Sequence, residues 1–155
     1  MPGYRHIAAV LLASITCLSA CTTAAVSLTA PSPTGETATQ CGALITSLRG
    51  SMEMTRRVSP PSSYTLAWGN PVVTLRCGVD APTPSQADSF VQIGAVEWRV
   101  RQVGDSVLWT SRGRVAAVEV RVSMSDKAQE RVLSRVNDAV LATIPASAPT
   151  PASAS

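Results

Sequence analysis

Two stretches of strict alternation carry the clearest signal in this chain. Val96, Trp98 and Val100 alternate with Glu97, Arg99 and Arg101, and further on Val118, Val120 and Val122 alternate with Glu119 and Arg121. A strand turns successive side chains to opposite faces, so each run predicts a strand with one apolar and one charged face. Such strands suit an antiparallel sheet covered on one side, because parallel strands buried on both faces read as continuous apolar runs. Gly104-Asp105, just ahead of Val107 to Thr110, predicts a hairpin turn.

Upstream, Tyr64 to Trp68 and Val72 to Val79 are two further extended runs, divided by Gly69-Asn70-Pro71. Val73, Leu75, Cys77 and Val79 share one face of the second run. Before them Met52, Met54 and Val58 alternate with Glu53, Thr55 and Arg57, which predicts a short strand ending at Pro60-Pro61. Asp80 to Asp88, with Pro82 and Pro84, reads as a surface loop.

The period changes at either end. Cys41, Leu44, Ile45 and Leu48 fall on one face of a helix over 38–49, with Thr37 and Gln40 spaced as a capping box and Gly50 as its stop. Ala128, Val132, Val136 and Val140, widened by Leu133 and Ala139, form the stripe of a second helix that opens at Asp126 and ends before Pro145. The expected fold is an α+β domain over 37–145. It has three to five antiparallel strands, with the N-terminal and C-terminal helices packed on one face. Residues 21–36 and 146–155, rich in Thr, Ala, Ser and Pro, read as a disordered tether and a disordered tail.

The first 20 residues read differently again. Arg5 and His6 precede the apolar run from Ile7 to Ala13, and the segment closes on Leu18-Ser19-Ala20-Cys21. This is the arrangement of a secretory signal, with an apolar core shorter than the roughly 20 residues that span a bilayer. Leu18-Ser19-Ala20-Cys21 resembles the bacterial lipobox. That resemblance implies a diacylglyceryl thioether on Cys21, cleavage before it, and a membrane anchor made of acyl chains; two or more such chains hold stably where one is marginal. Cys17 then leaves with the signal and Cys21 is acylated, so Cys41 and Cys77 remain as one pair, which an exported compartment oxidises.

Composition narrows the function by exclusion. Of 13 basic residues, Arg5 departs with the signal and leaves 12 against 10 acidic. That balance is too even and too scattered for a nucleic-acid partner. His6 is the only histidine and leaves too, which removes Ser-His-Asp and Cys-His nucleophile arrangements and imidazole metal sites. The sequence contains no cofactor-binding signature. Glu53, Asp80, Asp88, Glu97, Asp105 and Glu119 are dispersed; a glycosidase-like pair such as Glu97 with Glu119 would need the two on neighbouring strands. The plainer reading makes them solvent-facing partners of Arg99, Arg101 and Arg121.

Trp98 lies on the apolar face and reads as core, while Trp68 at a turn and Trp109 on a short strand are open between core and contact. Arg76, Arg112 and Arg114 are candidates to gather with Trp68 at one end of the sheet and hold a phosphate or carboxylate, against the plainer reading of a solvated edge.

Cys41 in a leading helix, Ala67-Trp68-Gly69 followed by Pro71, Leu75-Arg76-Cys77-Gly78-Val79, Trp98, Gly113-Arg114 and Val118-Glu119-Val120 together resemble a family of small actinobacterial membrane-anchored envelope lipoproteins of unknown function. Where such proteins tend to show proline after the last strand, this chain has Ser123. The resemblance implies an envelope location and a disulfide, and it implies no activity. The expectation is a non-enzymatic interaction or accessory module that meets an envelope protein. A small-ligand, glycan or anionic-lipid binder using Trp68, Arg76 and Arg114 is the second reading, and a carboxylate hydrolase the third.

Overall fold

The computed structural model describes residues 24–81, 83, 85, 88–123 and 126–148. The elements run β1 (Val26–Ser27), α1 (Gly35–Ser51), β2 (Thr55–Arg56), β3 (Val58–Ser59), β4 (Thr65–Trp68), β5 (Val73–Val79), β6 (Ser89–Ile93), β7 (Val96–Val103), β8 (Ser106–Arg112), β9 (Ala117–Val122) and α2 (Asp126–Thr143). Seven strands form one antiparallel sheet in the order β2-β4-β5-β9-β8-β7-β6, and β1 pairs with β3 in parallel beside it. The expected three to five strands are therefore too few. β6 escaped the pattern because it is an edge strand with both faces largely exposed, so no burial alternation marks it.

Alternation does fix the two faces. Val96, Trp98, Val118, Val120 and Val122 are buried on the inner face together with Val73, Leu75 and Cys77 of β5. The β7–β8 hairpin turns at Gly104-Asp105, as the sequence predicts. Both helices cover the inner face. α1 buries Cys41, Leu44, Ile45 and Leu48, and α2 buries Val136, Ala139 and Val140 in the same core. Cys41 and Cys77 are disulfide-bonded with their Cα atoms 5.4 Å apart, which joins α1 covalently to a central strand. On the other side of the core the Trp98 indole N–H donates to Asn137 Oδ1 at 3.2 Å, both residues being buried. Asn137 interrupts the apolar stripe of α2 because a buried indole needs an acceptor.

α1 is longer than the spacing suggested, starting at Gly35 and running past Gly50 to Ser51. Gln40 does not close a capping box on Thr37; its side-chain amide donates to Glu36 one turn back, at 3.1 Å. Met52 is the buried C-cap, whereas Met54 is exposed with φ 52°, so the two methionines do not share the face of one strand.

The described part of the expected tether lies on the domain. Val26 N–H donates to Arg57 O at 2.8 Å and Leu28 N–H to Ser59 O at 3.1 Å. Arg76 reaches Thr29 O, and Pro33 packs so closely on Gly78 that a Cβ there would sit 2.7 Å from Pro33 Cβ. Gly78 has φ 83° and marks a register shift between Cys77 and Val79, so the Cys-Gly-Val motif is a bulge that admits Pro33. The expected tail is likewise engaged over 146–148: Arg114 bridges Ala146, and Ser147 N–H donates to Gly113 O. The rest of the expected tail, and the first 23 residues with Cys21 among them, lie outside the described residues.

Replacing both Cys41 and Cys77 by Ser removes a 36-residue closure and lowers unfolding stability by about 4 kcal/mol in urea titrations. Gly78→Ala, strained in φ and set against Pro33, costs about 1–3 kcal/mol by the same measurement.

Candidate functional site

The turn Trp68-Gly69-Asn70-Pro71 ends β4 where α1 hands the chain to β2, and α2 lies across the gap. Gly69 takes φ 80° there, a left-handed value that suits glycine, and accepts a hydrogen bond from Arg56 Nη1 on its carbonyl. These elements enclose an open cavity of about 330 Å³. Its apolar wall is Met52, Trp68, Pro71 and Val73, and its charged lining is one carboxylate, Glu53, against Arg131 and Arg135, which sit four residues apart on one face of α2. Trp68 is itself part of the core, 5% exposed. An apolar wall beneath two guanidinium groups suits a small amphiphile with an anionic end.

The expected partners of Trp68 are elsewhere. Arg76 lies on the outer face and pairs with Glu119 at 2.6 Å. Arg112 pairs with Glu97 at 2.8 Å and stacks over Phe90 at 4.7 Å, on the same face. Arg114 donates to the carbonyls of Ala95 and Ile144. Arg112 and Arg114 do border one recess of about 470 Å³ beside Pro33 and Gly78, but their guanidinium groups are committed to these partners. The structure thus brings Trp68 together with Arg131 and Arg135 and not with Arg76, Arg112 or Arg114. The helical spacing of Arg131 and Arg135 was visible; that α2 crosses the Trp68 turn was not.

Trp98 is core, as its face implies. Trp109 also turns inward, opposite Val100 and Val120, and its buried indole N–H has no hydrogen-bond partner among the described residues. Glu97 and Glu119 are not on neighbouring strands, because β8 lies between β7 and β9, and each is held by an arginine.

The outer face is partly covered. β5 is central and β6 is the far edge, so the chain between Val79 and Ser89 must cross β9, β8 and β7. That jump is four strand spacings, about 19 Å, which nine linking residues can reach. Charged residues of β7 hold the crossing. The Asp88 side chain is fully buried and contacts Arg99 at 2.9 Å and Arg101 at 3.0 Å, and Arg99 also donates to Thr83 O. Asp88 is therefore no solvent-facing loop carboxylate, and Arg99 is itself buried. Arg121, expected as a third such partner, is exposed with no carboxylate within 4 Å among the described residues. Burial alone pushes the Asp88 carboxyl up; the Ser85 amide at 2.7 Å, Arg101, the Ser85 side chain and the charge of Arg99 outweigh it and hold it at about 2.

The family model described as a protein of unknown function (DUF3515) matches residues 5–149. No curated protein and no solved structure matches the chain.

Because the folded-state value of Asp88 lies below its ordinary one, the clamp contributes fully above about pH 4 and is lost as pH falls through about 2. In an NMR titration the Ser85 amide should hold its shift from pH 7 to 4 and move with a midpoint near 2. Asp88→Asn should abolish that transition and speed amide exchange at Thr83 and Ser85.

Proposed function

The chain belongs to the DUF3515 family, and from that premise we propose a lipid-anchored domain on the outer side of the cytoplasmic membrane that works by contact with an envelope partner and not by catalysis. The observation that carries this reading is the lipobox Leu18-Ser19-Ala20-Cys21, followed within five residues by a segment built into the domain. Five residues reach at most about 18 Å. An acylated Cys21 would therefore hold the β1–β3 side of the domain at the bilayer surface, without a long tether. The Cys41–Cys77 disulfide supports an oxidising compartment. No helix among the described residues is long and apolar enough to cross a membrane.

A second reading rests on the cavity at Trp68, whose apolar wall and paired arginines suit an amphiphilic anion. Its probe is anilinonaphthalene sulfonate, an anionic aromatic whose fluorescence rises on entering an apolar site. Binding that survives intact in Arg131→Ala/Arg135→Ala excludes this reading.

For the anchor, the native chain should fractionate with membranes and show Cys21 as a diacylglyceryl-modified N-terminus by intact mass. Cys21→Ala should lose that mass and its lipid label. A variant that remains membrane-bound and lipid-labelled contradicts the proposal.

A further inference from the structure

We infer that the basin lined by Arg49, Arg56, Arg57 and Thr65 binds the phosphodiester headgroup of an anionic phospholipid next to the anchor; this rests on the anchored reading above. The basin is an open hollow of about 850 Å³ between the last turn of α1, the β2–β3 segment and β4. Three arginines line it and its lining contains no carboxylate. On the outer face of the sheet the arginines are already neutralised: Arg76, Arg99, Arg101 and Arg112 each hold a carboxylate. The side chains of Arg49 and Arg57 have no hydrogen-bond or ion-pair partner among the described residues, and Arg56 uses one donor on Gly69 O.

A second observation points to a ligand in the same place. Thr65 lines the basin, is 1% exposed, and its hydroxyl has no hydrogen-bond partner among the described residues. A buried hydroxyl without a partner costs free energy that an acceptor from outside would recover. Ser62 and Ser63 line the same hollow. Planar guanidinium groups with hydroxyl donors beside them form the donor set that phosphate oxygens take up, often two at a time.

Position selects a lipid as the source of that phosphate. β1 hydrogen-bonds to Arg57 O and pairs with Val58–Ser59, so the chain that leads back to Cys21 leaves from the basin's edge. With Cys21 at most about 18 Å from Val26, the basin hangs within reach of the headgroup layer. Met54 adds apolar surface beside the arginines. It is 66% exposed and shares a recess of about 430 Å³ with Arg56 and Arg57. Acyl chains supply the first attachment, so the headgroup contact becomes an intramolecular event in which a weak site suffices.

The test titrates the mature acylated chain in a nonionic detergent with dioctanoyl phosphatidylglycerol, dioctanoyl phosphatidylcholine and inorganic phosphate in separate arms. Bound ligand is read by native mass spectrometry and by amide exchange over residues 55–65. Phosphatidylglycerol should bind and slow exchange there, phosphatidylcholine should not, and Arg49→Gln/Arg57→Gln should weaken binding about fivefold for each arginine removed. Equal binding by that variant, or protection confined to other segments, overturns the inference. Inorganic phosphate binding as tightly as the lipid, with the same dependence on Arg49 and Arg57, overturns the lipid as source. The same spectra report the N-terminal mass, so a chain without the thioether on Cys21 refutes the anchor while the titration still judges the basin.

Discussion

Everything in this domain is referred to the bond between Cys41 and Cys77. It ties the first helix to the centre of the sheet and so decides which face of β5 is the inside. The residue after Cys77 is the bulged Gly78, whose missing side chain makes room for Pro33. That contact lays the chain ahead of α1 against the domain, past Arg76 and on to β3. One covalent constraint and one close approach thus govern the core on one side and the path toward Cys21 on the other.

The two faces of the sheet solve different problems. The inner face is apolar and closed by α1 and α2, with the hydrogen bond from Trp98 to Asn137 joining sheet and helix. The outer face is organised by charge. Because β5 and β6 stand four places apart in the sheet, the linking chain has to run over β9, β8 and β7, and Arg99 and Arg101 fasten it through Asp88. Burying a carboxylate is unfavourable by itself, and two guanidinium groups with a backbone amide make it tolerable. At the edge formed by β2 and β3, by contrast, the arginines lining the basin have no carboxylate among its lining residues.

Most of the layer architecture was legible in residues. Alternation in β7 and β9 assigned both faces, the four-residue recurrence in α2 assigned its buried side, and counting cysteines gave the disulfide. Short or two-sided elements were not legible. β1, β2 and β3 have two residues each, too few for any period, and β6 is exposed on both faces. β4 is buried at all four positions, Thr65 and Ala67 included, so the hydroxyl that marks the basin looked like an ordinary strand residue. The candidate site was legible only in its residue types. Trp68 and the arginines were singled out, yet which arginines meet depends on strand order, and Asp88 and Asn137 look polar and external until the crossing and the Trp98 indole are placed.

The central proposal is that the chain from Val26 onward is part of the domain and that an acylated Cys21 presents the β2–β3 edge to the bilayer. Paramagnetic broadening of amide signals by a gadolinium-chelating lipid, in nanodiscs carrying the acylated protein, reads that orientation directly. The strand order places β6 six spacings from β2, about 29 Å. Broadening should be strongest over residues 55–63 and weakest over Ser89–Ile93. Uniform or absent broadening would mean a domain tumbling on a loose tether, and would contradict the account.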